Sequence, residues 1–122
     1  MAIATMGVTV LDCPDPQALA DFYAGVLGGE AGGSGRWYEV ALDGRRTLAF
    51  QEAPDHVAPD WPKAHNGQQL HLDFDVPKDR MDEAERQVID LGARLVQDDG
   101  GGKRDFRVYL DPAGHPFCLC AC

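Results

Sequence analysis

The chain is short of positive charge. Its 122 residues carry 11 Lys and Arg against 20 Asp and Glu, a formal net charge of -9 at pH 7. No basic patch forms along it, which argues against nucleic acid as a partner. No apolar run approaches the roughly 20 residues that a bilayer-spanning helix needs, so no membrane partner is expected. Residues 1–6 lack the basic start and long apolar middle of a secretory leader, and a cytoplasmic location is expected. Cysteine is unevenly placed. Cys13 stands apart, while Cys118, Cys120 and Cys122 crowd the end. That is not a disulfide framework, and no CxxC pair supports zinc. The stretch DDGGGK at 98–103 lacks the Lys-Ser/Thr pair of a phosphate loop and reads as a mobile turn.

What is present is a core-forming chain. Hydrophobic content of 44% is enough for one domain or two fused half-domains. Its central stretch is Gln69–Val76, QLHLDFDV. Leu70, Leu72, Phe74 and Val76 alternate with His71, Asp73 and Asp75. Period two predicts a strand with one apolar face for helices and one polar face.

Gly7–Cys13 (GVTVLDC) predicts a first strand. Asp15 suits an N-cap and Pro16 the first helical position. Leu19, Phe22, Tyr23, Val26 and Leu27 recur at helical spacing, and Gly28-Gly29 ends the helix. Residues 32–35 read as a flexible loop. Trp37–Leu42 and Thr47–Glu52 predict a hairpin turned at Asp43-Gly44. Pro54, Pro59 and Pro62 make 54–67 an ordered connector. After the central strand, Met81–Leu91 predicts a second helix closed by Gly92. Arg94–Gln97, Phe106–Leu110 and Phe117–Cys120 predict three strands, the last two joined by the turn DPAGHP.

The order repeats. Cys13-Pro14 returns as Val76-Pro77 and Leu27-Gly28 as Leu91-Gly92, about one half-chain later. Duplication of one unit is the simplest account. The expected fold is α+β, two tandem βαβββ modules over about 6–53 and 68–122, forming a cupped mixed sheet around a cleft. Val8 and His71 would look at each other across it. A single open ferredoxin-like sheet is the alternative.

Val10-Leu11-Asp12, Phe22-Tyr23 and Val26-Leu27-Gly28 resemble the first module of the vicinal oxygen chelate superfamily. Leu70–Phe74 and Asp111–His115 through Phe117 resemble its second module. That group includes glyoxalase I, bleomycin-resistance proteins and extradiol dioxygenases. The resemblance spans nearly the whole chain and implies a glyoxalase-like fold, and a homodimer. Metal enzymes of the family place ligands on four cup-facing positions. By resemblance these fall at Val8, at His71, at Cys118 where a carboxylate is usual, and near Gln51 or Ala49. Valine cannot bind a metal, and cysteine prefers soft ions where Mg, Mn and Ca want oxygen. The expectation is therefore no metal and no cofactor.

Each candidate has a plain alternative. His71 with Asp73 reads as a ligand anchor or an oriented base, or as a pair that satisfies itself. The three terminal cysteines read as a soft-metal or redox site, or as small buried hydrophobes. Trp37, Tyr38, Phe50, Trp61 and Tyr109 supply aromatic surface that reads as core or, at Trp37 and Trp61, as a wall for a planar ligand; Phe50 favours core. His56 and His65 read as solvated, and His115 as part of its turn. The ligand-binding set is Trp37, Phe50, Gln51, Trp61, His71, Asp73, Tyr109 and Cys118. It implies binding of a small aromatic or apolar molecule, in a resistance or sequestration role. The alternative function is a divalent-metal-dependent lyase, isomerase or dioxygenase with a divergent site.

Overall fold

A computed structural model of the chain describes residues 2–59 and 70–122. The chain divides into two units, Met1–His56 and Val57–Cys122. Each carries the same sequence of elements, and the duplication expected above is present.

In the first unit, β1 (Thr9–Cys13) leads into α1 (Pro16–Leu27), followed by β2 (Glu30–Ser34), β3 (Trp37–Leu42) and β4 (Arg45–Glu52). The sheet order is β1-β4-β3-β2, with β1 parallel to β4 and the other pairs antiparallel. The helix begins as its sequence dictates. The Asp15 carboxylate accepts from the Ala18 N–H at 3.1 Å, and Pro16 loses no helical bond in the first turn. Gly28 ends it in the left-handed region, φ 74°. Leu19, Ala20, Phe22 and Tyr23 are its buried stripe. Tyr23 stacks on Phe50, centroids 5.7 Å apart. Such fully buried side chains contribute roughly 1.5–3 kcal/mol each.

The stretch expected to be a flexible loop is strand β2, paired with β3 through Gly33↔Tyr38 and Ser34↔Trp37. Glycine here is a packing requirement. Gly33 has φ 147°, and a Cβ on it would lie 2.7 Å from the Tyr38 Cα. The hairpin turn is as expected, with positive φ at both Asp43 (52°) and Gly44 (77°).

The second unit repeats the pattern. β5 (Leu72–Val76) is followed by a 3₁₀ turn at Lys78–Arg80, α2 (Met81–Leu91), β6 (Arg94–Gln97), β7 (Phe106–Leu110) and β8 (Pro116–Ala121). The order β5-β8-β7-β6 matches that of the first sheet, again with one parallel pair, β5 with β8. The central strand starts at Leu72, later than predicted, with Leu70 and His71 ahead of it.

One face of this sheet packs on α2 through a polar clamp. The Tyr109 hydroxyl donates to Glu85 at 2.8 Å, and Arg107 pairs with Asp82 at 2.9 Å and Asp99 at 2.8 Å. Burial penalises the Arg107 charge, but the bonds to Asp82 and Asp99 outweigh that, and its pKa lies above the ordinary value. The turn at 98–103, expected to be mobile, is tied down. The Asp98 and Asp99 carboxylates accept from the N–H groups of Gly100, Gly101 and Gly102. In the DPAGHP turn the buried Asp111 carboxylate accepts from the N–H groups of Ala113 and His115. His56, read as solvated, is half-buried. Among the described residues no helix is long and apolar enough to cross a membrane.

Candidate functional site

The site grows from strand alternation. In β5, Leu72, Phe74 and Val76 take the face toward α2, with Phe74 5.7 Å from Phe117. Alternation sends Asp73 and Asp75 to the other face, with His71 just ahead of the strand. The parallel register then sets Asp73 beside Cys118 and Asp75 beside Cys120. His71 Nε2 lies 3.1 Å from Asp73 Oδ1. The donor atoms of His71, Asp73 and Cys118 all lie within 4.8 Å of one another.

The electrostatics of the cluster keep its thiols protonated. Burial pushes the Cys118 thiol up to about 12, helped by the negative charge of Asp73 and a hydrogen bond to it. Cys120 is raised for the same first reason, burial, and then by Asp73 and Asp75. A thiol held this way is a hydrogen-bond donor and a poor nucleophile. None of the four cysteines is in a disulfide.

The matching face of the first sheet carries a different set. Trp37, Gln51 and Asp12 are register neighbours across β3, β4 and β1. Glu39, Ala49 and Val10 form the next row. Trp37 Nε1 and Arg46 Nη1 both donate to Glu39 Oε2, each at 2.9 Å. The Trp37 bond, then the Arg46 bond, lower the Glu39 pKa. The Trp37 ring is thus held by its indole N–H while 37% of the residue stays exposed. Val8 precedes β1 as His71 precedes β5. The register matches Val10↔Ala49 with Asp73↔Cys118, so Ala49 corresponds to Cys118 and Gln51 to Cys120.

The structure therefore brings together His71, Asp73 and Cys118 in one unit, and Trp37 with Gln51 in the other. Phe50 and Tyr109 belong to neither group. Both are fully buried on the helix-packed faces, Phe50 against Tyr23 and Tyr109 against Phe117. The reason is parity: Phe50 sits between Ala49 and Gln51, and Tyr109 beside Val108. Trp61 and His65 lie outside the described residues. Sequence reading missed Glu39 and Arg46. The alternation of WYEVAL, which puts Glu39 on the Trp37 face, was the available signal.

As a metal centre, the cluster supplies one nitrogen, one carboxylate and one sulfur. That set suits a borderline-soft ion of the zinc kind. It does not suit manganese, magnesium or calcium, which take oxygen-rich shells.

A family model described as a glyoxalase-like domain matches residues 8–120. A search of curated proteins returns no match. Among solved structures, the chain is similar to a glyoxalase/bleomycin resistance protein/dioxygenase family enzyme from Burkholderia phytofirmans. The TM-score is 0.72 at 18% identity, covering 95% of this chain and 97% of that one. It is similar to the fosfomycin resistance protein FosX from Mesorhizobium loti, with TM-score 0.68 and 15% identity over 100% of this chain and 94% of that one. A FosX variant from Listeria monocytogenes, complexed with Mn(II) and 1S,2S-dihydroxypropylphosphonic acid, gives TM-score 0.67 at 15% identity, covering 98% and 93%. At these identities the likeness is one of fold.

Proposed function

Because the chain belongs to the glyoxalase-like domain family, we propose that it binds a small apolar or aromatic molecule on the polar faces of its sheets. The role is sequestration or resistance, and the oxygen-rich metal site of the family's enzymes is not used. The observation that carries this reading is Trp37. It is a large ring held by Glu39, left part-exposed, with the Gln51 amide as its register neighbour. Stacking on the ring supplies affinity, and Gln51 supplies orientation. His71 and Asp73 anchor polar groups of a ligand in the second unit. On this reading the protein works in the cytoplasm as a homodimer, with its cysteines reduced and no nucleic-acid or membrane partner.

The test uses Trp37 fluorescence. The chain has two tryptophans, so Trp61→Phe leaves Trp37 as the sole reporter. Saturable quenching by some members of a panel of planar aromatic compounds is expected, and Gln51→Ala weakens it. A flat response across the panel overturns the reading. Sedimentation at low concentration checks the dimer, and a clean monomer removes it.

One observation favours a second reading, a metal-dependent lyase, isomerase or dioxygenase with a divergent site. That observation is the convergence of His71, Asp73 and Cys118. An ion bound there would supply Lewis-acid polarisation of a substrate oxygen.

A further inference from the structure

Resting on the planar-ligand reading above, we propose that the molecule bound at the Trp37 row is a planar aromatic cation. It lies on the indole ring and sets its charge against the second carboxylate oxygen of Glu39.

Register defines the surface. Residues opposite one another on paired strands share a face. On the polar face of the first sheet, Ser34, Trp37, Gln51 and Asp12 make one row, and Gly32, Glu39, Ala49 and Val10 the next. A third row holds Glu30, Ala41 and Arg46, because the irregularity at Val40/Ala41 turns Arg46 to this face. These rows carry the carboxylates of Asp12, Glu30 and Glu39 against the single guanidinium of Arg46. The face is net negative on a chain of net charge -9, and both draw cations in.

Glu39 is where a cation gains most. Trp37 Nε1 and Arg46 Nη1 both donate to one oxygen, Oε2, and Oε1 accepts no hydrogen bond among the described residues. Those two bonds hold the Glu39 pKa below its ordinary value, so the carboxylate is ionised at neutral pH. Its side chain is 30% exposed. A charged oxygen with open lone pairs therefore stands at the edge of a part-exposed indole. The bond to Glu39 also polarises that indole, since a ring whose N–H donates to an anion holds more negative charge on its face. A cation over the face is attracted by the ring and by the carboxylate together. A neutral planar molecule gains only the stack, and an anion is repelled by both groups.

Space completes the site. The strand neighbours of Glu39 are Gly32 and Ala49, the two smallest side chains. A Cβ added at Gly32 would meet nothing within 4 Å. Gly32, unlike Gly33, has no positive φ, so its backbone does not require glycine. What glycine supplies there is an open trough beside the carboxylate.

The experiment is calorimetric titration of the full chain with three planar probes of one shape: N-methylacridinium, acridine and acridine-9-carboxylate. A slightly alkaline buffer keeps acridine uncharged. The cation should bind at least ~10-fold more tightly than acridine, and the carboxylate more weakly than either. Added salt should weaken the cation and leave acridine unchanged. Glu39→Gln keeps an acceptor for the indole but removes the charge. It should cut the cation's affinity ~10-fold while acridine changes less than ~2-fold. Gly32→Val suits a strand and fills the trough, and should weaken the cation ~10-fold or more, with circular dichroism and the urea midpoint confirming the fold.

Acridine binding as tightly as the cation, or the carboxylate binding tightest, overturns the proposal. So does an unchanged cation affinity in Glu39→Gln or in folded Gly32→Val, or no binding of the cation at all. The planar-ligand reading fails separately, only if Trp37 stays unquenched across the whole panel, uncharged members included.

Discussion

Asp73 and Cys118 are register partners on adjacent parallel strands, so a carboxylate and a thiol share one rung of the second sheet. The consequence is measurable as alkaline instability. Burial and the Asp73 charge raise the Cys118 thiol from 9.0 to about 12, so the folded chain holds this proton more tightly than the unfolded chain does. The stability it contributes is complete below pH 9 and is lost as pH climbs from 9 toward 12. The limiting slope for one such group is about 1.4 kcal/mol per pH unit. Cys120 and Tyr109 are raised too and add to the slope in the wild type. Urea midpoints of wild type and Cys118→Ser across this range should therefore diverge, the variant losing less. Parallel curves would show that the rung does not titrate.

The clamp between α2 and β7 makes a second prediction. Tyr109 is fully buried and its hydroxyl donates to Glu85, which also lies 3.4 Å from Arg107. Tyr109→Phe keeps the stack on Phe117 and leaves one Glu85 oxygen short of a donor. The expected loss is about 1–2 kcal/mol in urea unfolding, with the slope unchanged. Arg107→Met should cost more than Tyr109→Phe, since Asp99 and Glu85 both lose their countercharge. An Arg107→Met variant as stable as wild type would mean that the network is only surface decoration.

Much of this architecture was legible in the chain. Caps at Asp15 and Gly28, the Asp43-Gly44 turn and the repeated Leu-Gly helix ends are local signals with local causes, and they appear where the sequence put them. The Glu30–Ser34 strand was not legible. Gly32, Gly33 and Gly35 carry the signature of a loop, and only the close approach of β3 explains Gly33. At the site, alternation was enough to pair His71 with Asp73, because His71 stands just ahead of the strand that carries Asp73. The convergence of Asp73 with Cys118 depends on which strand lies beside which and at what offset, and no local pattern reports that. Phe50 and Tyr109 show the same limit. An aromatic in a strand reads alike on either face until the register is known.

The edge strand gives a third prediction. Gly33→Ala must place a methyl against the Tyr38 backbone at a positive φ that an L side chain rarely adopts. The expected cost is about 1–3 kcal/mol. The change should be local, because β2 is at the margin of its sheet and pairs only with β3. Hydrogen exchange should quicken at Ala31–Ser34 while amides of β1 and β4 keep their protection. Uniform loss of protection would mean that β2 is integral to the unit's folding.

Two aromatic side chains of the first unit separate packing from binding. Phe50 lies buried under α1 against Tyr23, while Trp37, one strand over, is part-exposed on the opposite face. Phe50→Ala opens a cavity in the core, and the cost should be about 3–5 kcal/mol. If the remaining stability suffices, aromatic ligands should still bind with near-normal affinity, because the Trp37 row is untouched. Trp37→Ala removes a ring held at the surface by one hydrogen bond to Glu39, and should cost less than about 1.5 kcal/mol. It should nevertheless lower affinity for a planar ligand about tenfold or more, as loss of a stacking contact of about 1–2 kcal/mol requires. Calorimetric titration of the two variants with one ligand, beside urea unfolding of each, gives the crossed pattern directly. Were Phe50→Ala to lose binding and Trp37→Ala to keep it, both measured in folded protein, the ligand would have to sit on the helix side of the sheet.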